Sequence, residues 1–167
     1  MYDGSTLHRQ LQSFDEDERL DAFFELLDTL DRAPEFRPHE HALEAIWRSV
    51  LDETAVDELH FYGTEALIRI LGRAAVIESL IERLEDSEEV GVRAQAAKTL
   101  GEISDERVVE VLLAALDRPE DPVVRLAVVE ALSRRAQPQL APTLLTLLKD
   151  PNEQVEVRQF AAEGLGR

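Results

Sequence analysis

The chain has 167 residues, 44% of them hydrophobic, and contains no cysteine. That length suits one ordinary domain or a short repeat array with a buried core, and the missing thiols exclude disulfides, thiolate metal sites and a cysteine nucleophile. A net charge of −17 repels polyanions, which argues against a nucleic-acid partner, and no apolar run reaches the ~20 residues that span a bilayer.

Residues 1–14 lie outside any periodic pattern and could be flexible; the opening Met1-Tyr2-Asp3-Gly4-Ser5 is polar and unlike a signal peptide. From Arg19 onward a motif recurs: arginine, a small or apolar residue three positions later, leucine seven positions later. The first copy is Arg19-Ala22-Leu26. A Pro-containing stretch, Asp31 to Pro38, follows as a loop. A second helix is then predicted with apolar residues at i, i+1, i+4, i+5 and i+8, here Ala42, Leu43, Ile46, Trp47 and Val50. The next pair has Thr64 in the arginine slot with Leu67 and Leu71, then Gly72 as a C-terminal stop, then Val76, Ile77, Leu80, Ile81 and Leu84.

The third pair carries Arg93-Ala96-Leu100, announced by Asp86 with Glu89 three residues on and closed by Gly101 as a left-handed cap. Its second helix offers Val108, Val109, Leu112, Leu113 and Leu116. Asp121-Pro122 opens Arg125-Val128-Leu132, with the aspartate as N-cap and proline at the first helical position. Leu140, Ala141, Leu144, Leu145 and Leu148 complete the fourth pair. Asp150-Pro151 repeats the opening signal before Arg158-Ala161-Leu165, with Gly166 in the capping slot. The last three arginines are 32 and 33 residues apart. Recurrence at that spacing is the mark of stacked supersecondary units, none of which hides its apolar stripe alone.

The expected fold is therefore all-α, an α-solenoid of about four antiparallel helix pairs plus a final unpaired helix. The expected organisation is one repeat domain over 1–167: an irregular first repeat at 15–52, repeats at 53–85, 86–117 and 118–149, and a half repeat at 150–167.

The run Val92-Arg93, Ala96-Ala97, Leu100-Gly101, Asp105, Val108, Leu112, Leu116-Asp117 resembles HEAT-like repeats of the phycobilisome-lyase type, best over residues 86–167. The resemblance implies a right-handed superhelix with the second helices lining its inner face. It is nearly silent about function, because such repeats serve many unrelated binding proteins.

Three sets of residues are candidates for a role. Arg93, Arg125 and Arg158 fall about 40° from the centre of the apolar stripe and need acceptors there, so they read as inter-repeat staples with Asp86, Asp121 and Asp150. The outward registers of the second helices hold Glu44, Glu78, Glu110 and Pro142, and Arg48, Glu82, Ala114 and Thr146. With the resemblance, the glutamates would form an acidic ladder for a basic peptide or helix. Phe36 and Trp47 are candidates for an exposed aromatic patch, since nearly all aromatics precede residue 63. The His39-Glu40-His41 cluster stands alone and lacks the i, i+4 spacing of a helical metal pair.

No catalytic constellation emerges, and neither metal nor cofactor is expected. The reading is a non-enzymatic, cytoplasmic protein-interaction scaffold or adaptor whose acidic concave surface receives a protein or basic peptide. The alternatives are an accessory subunit of a bilin lyase, which the resemblance in repeat type implies, and a self-assembling structural element. An uncovered C-terminal helix would also permit a homodimer.

Overall fold

The computed structural model describes residues 4–118, 121–135 and 137–167. Among them lie ten α-helices, one 3-10 turn at Pro138–Leu140 and no strand, so the chain is all-helical as its periodicities require. The helices are α1 (Gly4–Leu11), α2 (Glu16–Arg32), α3 (Glu40–Leu51), α4 (Asp57–Leu71), α5 (Arg73–Asp86), α6 (Val90–Glu102), α7 (Glu106–Leu116), α8 (Pro122–Arg134), α9 (Ala141–Lys149) and α10 (Val155–Leu165). A helix forms at each predicted position: α2 and α3, α4 and α5, α6 and α7, α8 and α9, followed by α10. Two compact units divide within α5, residues 1–79 and 80–167.

In the first unit the start of α2 follows local chemistry. Asp15 caps it by accepting from the N–H groups of Asp17 at 3.0 Å and Glu18 at 3.4 Å, and Glu16, Asp17 and Glu18 place negative charge where the helix dipole favours it. Residues 33–39 join α2 to α3; Asp31 and Arg32, expected in the loop, are the last two residues of α2. Residues 4–11, outside the repeat template, form a helix: α1 packs on α2 and α3 and buries Leu7 and Leu11. Helix α4 lies against both α2 and α3. Gly63 makes that approach possible, since a Cβ there would stand 2.7 Å from Val50 Cγ2 and 3.3 Å from Phe23 Cζ. In the Thr64 copy the leucine slot behaves differently, with Ile70 buried and Leu71 37% exposed. Gly72 stops α4 at a φ of 87°, a backbone conformation that L side chains rarely adopt.

In the second unit the first helices of successive repeats, α6, α8 and α10, pack side by side, while α7 lies against α8 and α9 against α10. Each second helix is thus held by the first helix of the repeat that follows it. Val108, Val109 and Leu112 are buried as the template asks, but the last copy is rotated: Leu147 is buried and Leu145 is 41% exposed. Asp121 caps α8 by accepting from Val123 N–H at 2.9 Å, with Pro122 at the first helical position. The other opening signals correct the sequence reading. The N-cap of α6 is Glu89, and Asp86 is the last residue of α5. Asp150 terminates α9 and turns the chain by accepting from Asn152 N–H at 2.9 Å, whereas α10 begins four residues after Pro151.

Two glycines expected as left-handed caps also prove otherwise. Gly166 has a φ of −85°, and Gly101 is inside α6. Gly101 is there for space, because a Cβ would meet Ala131 Cβ at 2.6 Å and Ala131 Cα at 2.9 Å. One repeat later Gly164 would meet Ser133 Cα at 2.9 Å. The rule is regular: the residue after the repeat leucine in one first helix faces the residue before the leucine in the next, and each pair, Gly101–Ala131 and Ser133–Gly164, is small.

Gly101→Ala raises helix propensity yet forces α6 and α8 apart, so it should lower stability by about 1–3 kcal/mol. A denaturant midpoint equal to or above the parent's would show that the close approach is not needed. Leu112→Ala, deep in the seam, should cost about 2–5 kcal/mol by the same measurement.

Candidate interaction surface

Arg93 and Arg125 bind acceptors other than the side chains of Asp86, Asp121 and Asp150. Arg125 forms the strongest tie, donating from Nη2 and Nε to Glu153 Oε2 at 2.6 and 3.0 Å and from Nη1 to the Leu116 carbonyl at 3.0 Å. One guanidinium therefore joins the end of α7, the start of α8 and the turn before α10. Glu153, not Asp121 or Asp150, is the carboxylate it grips; Asp121 and Asp150 spend their side chains on local N–H groups. Arg93 donates to the Ser87 carbonyl at 2.8 Å. Arg158 is half-buried, with its Nε inaccessible and unpartnered among the described residues. In the first unit Arg19 stands 3.6 Å from Glu16 and 3.7 Å from Asp52.

A further staple, Arg135, escaped the motif. Its guanidinium donates to the carbonyls of Gly101 at 3.2 Å, Ile103 at 2.9 Å and Asp105 at 3.0 Å. It thereby satisfies orphan acceptors at the C-terminal end of α6 from the end of α8. The only sequence cue was the Arg134-Arg135 pair. Its neighbour Arg134 is half exposed and pairs with Glu130 at 2.6 Å.

All eight outward positions of the second helices are exposed: Glu44, Arg48, Glu78, Glu82, Glu110, Ala114, Pro142 and Thr146. Glu44 and Arg48 are on α3, Glu78 and Glu82 on either side of the unit division in α5, Glu110 on α7 and Thr146 on α9. His41 Nδ1 lies 3.7 Å from Glu44. Arg48 also lines an open hollow of about 1110 Å³ with Arg19, Ser13, Phe14, Asp52 and Thr54. Burial there works to raise the pKa of Asp52. The Thr54 hydroxyl and N–H, at 2.6 and 2.9 Å, and the Arg19 charge outweigh that and hold it below its ordinary range.

Phe36 and Trp47 are half-buried. Exposed rings lie elsewhere: Phe14 is fully exposed and stands alone among the described residues, while Phe24 is 47% and Phe61 61% exposed. The latter two meet Tyr62 edge to face, at 4.7 and 5.2 Å between centroids. Sequence spacing gave no cue, because Phe24 and Tyr62 meet only once α2 and α4 lie side by side. Among the described residues no three metal-ligating side chains gather, and no helix is long and apolar enough to cross a membrane.

The Arg125–Glu153 pair makes stability depend on pH. The hydrogen bonds from Arg125 hold the Glu153 carboxyl below its ordinary value, against an opposing push from burial. A lowered folded-state pKa stabilises fully above the unfolded value of ~4.3 and fades as pH falls through the folded one. Glu153→Gln should cost about 1.5–3 kcal/mol at neutral pH, and its melting temperature should fall less steeply than the parent's below about pH 4.3. Parallel curves for the two proteins would contradict the assignment.

The sequence matches the family model for HEAT repeats over residues 64–133 and again over 110–167. The matching model describes HEAT repeats in general and does not extend to the lyase type of repeat or to bilin handling. Among curated proteins no match is found. The two matched segments cover more than half of the chain, and they include the registers of Arg93, Arg125 and Arg158, the α6–α8–α10 layer and α7 and α9 stacked on it. The chain belongs to the HEAT repeat family.

Proposed function

We propose that the chain is a non-enzymatic scaffold that binds basic segments of a partner protein through the exposed second-helix glutamates of each unit, Glu44 and Glu78 in the first and Glu82 and Glu110 in the second. HEAT repeats are commonly protein-interaction scaffolds, which gives the class of function. The observation that carries the finer reading is the exposure of Glu44, Glu78, Glu82 and Glu110, one register or the other on α3, α5 and α7. Of these, the side chains of Glu78 and Glu110 have no hydrogen bond or ion pair among the described residues, whereas the charge of Glu82 acts on Arg83. Exposed carboxylates of this kind add little to folding. They orient an approaching cationic partner and accelerate its encounter, an effect that salt screens over about 8 Å at physiological ionic strength.

The test is capture of partners from native lysate on immobilised protein, followed by affinity measurement with the purified partner. Glu78→Lys/Glu110→Lys should weaken binding about tenfold or more, leave helical circular dichroism unchanged, and flatten the salt dependence. Unaltered affinity in the charge-reversed protein would remove this reading.

A further inference from the structure

A second surface, on first helices rather than second ones, carries its own signature. Phe24 on α2 and Phe61 with Tyr62 on α4 form a contiguous ring cluster, two members of which are 47% and 61% exposed. The helices beneath are parallel and in register, because Phe24 meets Tyr62 and Asp31 pairs with Arg69, each 38 positions apart. Aromatic rings clustered at a water-facing seam are costly to leave solvated and are the residue types that anchor protein interfaces.

The charges around the rings select the occupant. Asp21 sits one turn before Phe24, and Asp57 and Glu58 one turn before Phe61, all exposed. None of these three carboxylates has a hydrogen bond or ion pair with a described residue. The nearby cations are engaged: Arg69 by Asp31 and Glu65, Arg32 by Asp28. A second copy of this chain would bring the same carboxylates against themselves at a net charge of −17, and an anionic membrane would be repelled likewise. A segment that places apolar side chains on the rings and cations beside the acids is attracted on both counts.

We propose that the Phe24–Phe61–Tyr62 cluster, flanked by Asp21, Asp57 and Glu58, is a docking surface for a basic amphipathic helix of a partner protein. The apolar stripe of that helix covers the rings, and its arginines or lysines face the carboxylates. It shares no residue with the glutamates on α3, α5 and α7 and does not depend on them.

The probe is a fluorescently labelled peptide of about 16 residues, leucines at i, i+3, i+4 and i+7 and arginines between them, beside a scramble of identical composition. Anisotropy titrations compare the parent with Phe24→Ser/Phe61→Ser, with Asp57→Lys/Glu58→Lys and with Glu156→Lys, an exposed position on α10. The patterned peptide should bind the parent about tenfold tighter than its scramble. The aromatic variant should erase that difference, the acidic variant should weaken binding by a similar factor, and Glu156→Lys should leave it intact. Melting curves confirm that the variants are folded. Equal binding of peptide and scramble, no binding, or an aromatic variant indistinguishable from the parent would each overturn the proposal. So would loss of binding in Glu78→Lys/Glu110→Lys without loss in the aromatic variant, which leaves the second-helix face standing. Self-association abolished by Phe24→Ser/Phe61→Ser would instead identify a second copy as the occupant.

Discussion

A helix of 9 to 17 residues with one apolar stripe cannot remove that stripe from water by pairing with a single partner. Its other flank must lie against the next repeat, and the closeness of that contact decides how much water is excluded. In the second unit the contact is set at backbone distance by small residues, Gly101 against Ala131 and Ser133 against Gly164. The buried leucines Leu100 and Leu132 occupy the adjoining position, so their packing exists only while the helices stay that close. Burial of each such side chain contributes roughly 1.5–3 kcal/mol, and every increment is shared between two repeats. Stability is therefore a property of neighbouring pairs, as a nearest-neighbour array requires.

The electrostatics follow the same geometry. Backbone carbonyls at the ends of helices need donors wherever the next repeat covers them, and guanidinium groups supply several at once. Arg135 reaches three carbonyls of the preceding repeat, and Arg125 joins a carbonyl of that repeat to a carboxylate of the following one. Arg125 and Arg135 are thus spent on holding repeats together, while carboxylates outnumber basic side chains in the chain as a whole.

The periodic features were legible in the sequence because repetition amplifies them. An arginine–leucine spacing seen once is noise; seen at Arg93, Arg125 and Arg158 it locates three helices and their buried faces. The N-cap at Asp121 could be read because its partner N–H lies two residues away. Features that arise between repeats were less legible. Gly101 resembled a cap by its place after Leu100, and only the approach of Ala131 from 30 residues later reveals that it sits mid-contact. Glu153 could not be chosen over Asp150 as the acceptor for Arg125, since both precede α10 and only the turn geometry distinguishes them. The aromatic residues were counted correctly as N-terminal, but which of them face water depends on how α2 and α4 lie side by side. Phe24, Phe61 and Tyr62 are brought together by that packing, while Trp47 is drawn inward. Short-range chemistry is written locally, and contact between repeats is written in pairs of positions about 32 residues apart.

Native-state hydrogen exchange on Gly164→Ala tests this interdependence most directly. The new methyl group intrudes on Ser133 in the neighbouring helix, so amides of α8 should lose protection together with those of α10, although α8 is unaltered in sequence. Faster exchange confined to α10, with α8 as protected as in the parent, would mean that each helix pair stands on its own and would contradict the shared seam.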